Sequence, residues 1–163
     1  MLDRREREVL LTRFDDRLSR LSMDGRALEA AMADVSPTFD LQRFVDSYVG
    51  FDERALNQAR SVERNFEVLH NFYVEMVRFG EVLDGRLDRT ASLNAPRDVD
   101  SAQRAGRLSK PIADMLLRWH QVRSTLQHDY PDIVAVRIHE AIVELDAQRG
   151  SLKRAFEDWR STL

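Results

Sequence analysis

The sequence predicts an all-α fold: one domain, an antiparallel bundle of four to five helices with a long connection before the penultimate one. Three observations carry that expectation. Apolar residues recur at three- and four-residue spacing through most of the 163 residues, and no strand-like alternation persists. Cysteine is absent, which removes disulfides and thiolate metal sites as organising elements. Ser36-Pro37 and Tyr130-Pro131 fall between periodic stretches, where proline disfavours helix in the residue before it.

The elements follow in order. An opening helix begins near Asp3 with Leu11, Phe14, Leu18 and Leu21 on one stripe. It continues or bends at Met23-Asp24-Gly25 and runs through Leu28, Ala31 and Met32. Ser36-Pro37 ends it, because a residue before proline avoids the α region. A short helix carries Leu41, Phe44, Val45 and Tyr48. A long helix from about Asp52 to Leu83 bears a wide apolar face that includes Phe66, Leu69, Tyr73 and Met76, as expected of a helix touched by several neighbours.

Asp84 to Arg107 breaks the pattern and reads as a long exposed connection with room for a short turn of helix. Connections of this length are uncommon in compact domains, so a lid and an ordinary surface segment both stay open. Two helices complete the chain, from about Pro111 to Gln127 and from about Asp132 to Arg160.

Composition narrows the function. The formal net charge is −3, which does not fit a basic nucleic-acid coat. Between Ser101 and His128, however, Arg104, Arg107, Lys110, Arg118 and Arg123 stand against Asp114 alone. That segment is either a phosphate-attracting patch or a solvated face balanced by acidic neighbours. No apolar run approaches the ~20 residues of a membrane span, and the N-terminus lacks an apolar signal core. A cytoplasmic protein is the expectation. No His-x-x-x-His pair, glycine-rich phosphate loop or Gly-x-Ser-x-Gly elbow is present, so no metal and no cofactor are expected.

The most informative stretch is Arg123-Ser124-Thr125-Leu126-Gln127-His128-Asp129-Tyr130-Pro131. At about 100° per residue, Arg123 falls inside the apolar arc of Met115, Leu116, Trp119 and Val122, whereas Arg118 lies outside it. A guanidinium on such a face pairs with a carboxylate, for which Glu63, Glu67 and Glu140 are available, or holds a phosphate in a cleft. His128, at a helix end before Pro131, is placed for proton transfer. An ideal helix would set it about 140° from Arg123, so the two meet only if the last turn loosens or if two chains pool their sets across a symmetric cleft. His70, His120 and His139 have structural or surface roles in this reading, with His120 one turn from Ser124.

These residues resemble the HEPN superfamily of helical-bundle ribonucleases, and within it the HepT-like toxins. That family carries an arginine, four residues, a histidine, one residue and a tyrosine near a helix end. Here they are Arg123, His128 and Tyr130. The run Val62-Glu63-Arg64-Asn65 is also similar, and the likeness extends from about residue 52 to the end. The position after the arginine, often asparagine in the family, is Ser124, which reaches less far.

The resemblance implies metal-independent RNA cleavage at a homodimer interface. Arg123 and His128 would be catalytic, with Ser124, Asp129 and Tyr130 supporting. It also implies a toxin–antitoxin or defence role, with Tyr130 as the residue a cognate nucleotidyltransferase modifies. The alternative is a non-catalytic module that docks a nucleotidyltransferase or another partner through the same helix face.

Overall fold

The computed structural model describes residues 2–125 and 131–163, with side chains over 2–124 and 134–163. The described chain is an all-α helical bundle, without a strand. Its helices are α1 (Arg4–Val35), α2 (Leu41–Val49), α3 (Glu53–Leu83), α4 (Ala95–Arg104), α5 (Lys110–Thr125) and α6 (Pro131–Ser161). Two compact units are distinguished: residues 1–21, 70–120 and 150–163 form the first, and residues 22–69 and 121–149 the second.

Local chemistry sets the boundaries. Asp3 and Glu6 form a reciprocal capping box at the start of α1: Asp3 Oδ1 accepts the Glu6 N–H at 2.7 Å and Glu6 Oε2 accepts the Asp3 N–H at 3.1 Å. Asp40 caps α2 by accepting the Arg43 N–H, and Asp52 caps α3 by accepting the Arg54 N–H, each at 2.9 Å. Both α3 and α4 end in Schellman motifs. Gly85 (φ +74°) and Gly106 (φ +70°) take the left-handed position, and the next N–H reaches back to Glu81 and Ala102 respectively, each at 2.9 Å. Helix α1 passes through Met23-Asp24-Gly25 unbroken, and Gly25 leaves the space that the Arg149 guanidinium occupies.

The connection from Asp84 to Arg107 is exposed over much of its length, but it is not structureless. It contains α4, whose Ala95, Asp98, Val99 and Ala102 are buried. Asn94 accepts the Arg97 N–H at 3.1 Å, and Pro96 sits in the first turn. Asn-Ala-Pro here starts a helix, since proline needs no N–H partner in a first turn.

In the first unit, Phe14, Tyr73, Trp119, Phe156 and Trp159 are almost wholly buried, and Tyr73 and Phe156 stack at 5.7 Å. Gly80 on α3 makes room for the Trp159 indole, which a Cβ there would strike. In the second unit, Phe39 stacks on His139 at 4.6 Å and meets Phe44 edge-on at 5.2 Å. Phe39 has φ +47°, a left-handed conformation that is strained for a bulky side chain. Its carbonyl oxygen accepts from Nε2 of His139 at 2.7 Å, and its ring is buried, which together hold that conformation.

Gly80→Ala should lower stability by about 1–3 kcal/mol through overpacking against Trp159. Urea unfolding followed by tryptophan fluorescence checks this. An unchanged midpoint would contradict the packing described.

Candidate functional site

Arg123 lies in the last turn of α5, half-buried, with Ser124 exposed beside it. The helix face behaves as its periodicity predicts. Met115, Leu116 and Trp119 are buried, Val122 is half-buried and Arg118 is exposed. No described carboxylate lies within ion-pair distance of Arg123. Glu63 instead accepts the Tyr48 hydroxyl at 2.6 Å. His128, Asp129 and Tyr130 lie outside the described residues.

Three of the five cations in the run from Ser101 to His128 are paired with carboxylates in the first unit. Arg104 pairs with Asp100, Arg107 forks onto Asp84 at 2.9 and 3.1 Å, and Lys110 reaches Asp114 at 2.8 Å. Two carboxylates outside that run, Asp100 and Asp84, therefore offset half of its surplus. Proximity in space, rather than in sequence, supplies Asp84.

A buried ionic cluster in the first unit has no counterpart among the sequence expectations. Glu81 and Asp98 are fully buried. Glu81 Oε1 accepts from Arg86 at 2.9 and 2.6 Å, and its Oε2 accepts from the Ser101 hydroxyl. Asp84 accepts from Arg86 at 2.5 Å, from Arg107, and from the Trp159 indole N–H at 3.1 Å. Asp98 takes the Arg97 guanidinium at 2.8 Å and lies 3.6 Å from that of Arg78. These carboxylates tie α4 and the preceding turn to α3 and α6. The hydrogen bond to Glu81 is also the main reason that the Arg86 pKa is raised. Acidic residues flanked by arginine at short spacing (Glu81/Arg86, Arg97/Asp98) were the available signal.

A cleft of about 470 Å³ opens in the first unit beside the turn that follows α3, with Arg86 and Arg89 on its wall. Both guanidiniums are committed, Arg86 to Glu81 and Asp84 and Arg89 to Glu6 at 3.0 Å. The cleft contains none of the predicted site residues. His70 is fully buried and stacks on His120 at 5.8 Å, which gives it the structural one of its two expected roles. Among the described residues, no group of three or more histidine or acidic side chains is arranged to hold a metal, and no helix is long and apolar enough to cross a membrane.

Tyr48 and Glu63 form a half-buried acid pair in the second unit. Burial first, then the Glu63 carboxylate, push the Tyr48 pKa up. Burial pushes Glu63 up, against the Tyr48 hydrogen bond, and Glu67 adds like-charge repulsion. A carboxyl raised on folding weakens the folded state once it ionises, and that penalty disappears as pH falls through its folded pKa.

Compared with known proteins, the chain matches no family model, no curated protein and no solved structure.

Glu63→Gln keeps an acceptor for Tyr48 and removes the ionised form. The variant should gain stability over the parent near pH 8, and the difference should shrink towards about pH 4. Paired urea titrations across that range check this. A gap that widens on acidification would contradict the assigned direction.

Proposed function

We propose that the protein is an endoribonuclease of a toxin–antitoxin or defence system, with Arg123 and His128 as its catalytic residues. The observation that carries this reading is the state of Arg123. It is a half-buried guanidinium in the last turn of α5 with no carboxylate partner among the described residues, whereas buried Arg78 lies 3.6 Å from Asp98. The Arg-x-x-x-x-His-x-Tyr run that it opens supports the same reading, as does its likeness to the HEPN pattern.

The chemistry follows from the two groups. The imidazole of His128 takes the proton of a ribose 2′-hydroxyl as its oxygen attacks the adjacent phosphorus. The bond to the 5′-oxygen breaks, leaving a 2′,3′-cyclic phosphate and a 5′-hydroxyl that receives a proton. Arg123 donates to the phosphoryl oxygens, where negative charge develops. Two chains meeting about a two-fold axis would each contribute a set. Nucleotide transfer to Tyr130 by a cognate nucleotidyltransferase would add phosphate charge and bulk beside both groups and block substrate.

One observation favours the non-catalytic reading. The unit that carries Arg123 holds fourteen Asp and Glu against eight Arg, a net of −6, which repels a polyanion at long range. In that reading the same helix end docks a nucleotidyltransferase or another protein.

Purified protein should cleave single-stranded RNA in the presence of a chelator and leave its 2′-deoxy counterpart intact. His128→Ala should lower the rate about 10²–10⁴-fold and Arg123→Ala about 10²–10³-fold, with unchanged circular dichroism. Full cleavage by both variants would refute the assignment. So would absence of cleavage by a parent protein free of Tyr130 modification.

A further inference from the structure

The second unit exposes an apolar ridge with no role in the reading above. Leu41, Val45 and Val49 stand at four-residue spacing on α2, an inclined ridge that rises about 12 Å along the helix. Leu41 and Val49 are exposed and Val45 is half-buried. Past Gly50 the row ends at Phe51, whose relative exposure of 108% leaves its whole ring in solvent. Five of the seven large apolar side chains that are exposed among the described residues belong to this unit, Met23 and Val143 being the others. Scattered exposed apolar residues are ordinary, whereas a row ending in a bare phenylalanine marks a contact surface.

Charge decides what covers it. From Asp40 to Arg54 four carboxylates (Asp40, Asp46, Asp52 and Glu53) stand against Arg43 and Arg54, inside a unit of net −6. Asp46 and Glu53 are exposed beside the ridge. A second copy would bring −6 against −6, and RNA or an anionic membrane would meet the same repulsion. A cationic partner is attracted. A helix with apolar residues every three or four positions fits a row of four-residue spacing by laying its own ridge alongside.

We propose that the Leu41–Val45–Val49–Phe51 ridge is a docking surface for a cationic amphipathic helix of a partner protein. Phe51 is the anchor, and the acidic residues of α2 and the start of α3 steer and orient the helix. The surface is independent of cleavage by Arg123 and His128.

The probe is a fluorescent synthetic helix with leucine at every fourth position and lysine between, titrated with the full chain by anisotropy. Saturable binding is expected, weakening as salt rises towards about 0.3 M. The Phe51→Ser/Val49→Ser double variant should lose about tenfold or more in affinity, and Asp46→Lys/Glu53→Lys should lose a similar amount. Both pairs of side chains are exposed, so circular dichroism should match the parent. Equal binding by the double variant, equal binding by a glutamate-for-lysine peptide, or no saturable binding by the parent would each overturn the proposal. Self-association in sedimentation that Phe51→Ser abolishes would also overturn it, by giving the ridge to a second copy.

Discussion

Two carboxylates out of reach of water organise the first unit. Glu81 and Asp98 are fully buried, and an ionised carboxylate in that environment is stable only while its guanidinium partners stay in place. Removing one partner of a buried ion pair costs about 3–5 kcal/mol, far more than an exposed pair contributes. Arg86 and Ser101 must therefore close on Glu81, and Arg78 and Arg97 on Asp98. These contacts fold the stretch after α3 back onto α3 and give α4 its buried face. Asp84 extends the cluster to Arg107, just before α5 begins, and to the indole of Trp159 on α6. Gly80, one turn before Asp84, lets that indole approach.

Such pairing consumes the basic charge of the first unit. That unit carries seventeen Lys and Arg against fourteen Asp and Glu, yet many of its cations are held by carboxylates. The second unit has the reverse balance. A polyanion approaching Arg123 would gain little from the field of its unit and would rely on short-range, bidentate contacts of the guanidinium fork. An amphipathic cation approaching α2 would gain from both the field and the exposed ridge. The two candidate surfaces thus call for opposite ligands.

Much of the fold is legible in the sequence because its signals are local. Asp3 with Glu6, Asp40, Asp52 and Ser36-Pro37 mark helix ends by chemistry that reaches only three or four residues, and the structure uses each of them. What was not legible depends on distant partners. Helix α4 reads as a polar connection because Asp98, Arg97 and Ser101 look like surface residues until Arg78 and Glu81 are brought to them. His70 looks marginal on a helical wheel, but His120 of another helix covers it. The left-handed Phe39 has no sequence signature, since its strain is offset by His139, one hundred residues away. On the site side, the face and burial of Arg123 followed from periodicity alone, whereas its freedom from Glu63 required knowing that Tyr48 had taken that carboxylate.

The placement of Arg123 has a bland component. A cation in the last turn of a helix gains about 0.3–1 kcal/mol from the helix dipole and the unpaired terminal carbonyls. That accounts for an arginine at the end of α5, but any position in the turn would serve, including one facing solvent as Arg118 does a turn earlier. The dipole does not account for the apolar arc. Half-burial removes part of the guanidinium's hydration, and none of the three carboxylates that could compensate is within reach among the described residues. The uncompensated part of that cost is what a phosphate would relieve, since two charge-assisted hydrogen bonds replace the lost water. The side of the helix that Arg123 faces, rather than its place along the helix, is therefore what sets it apart.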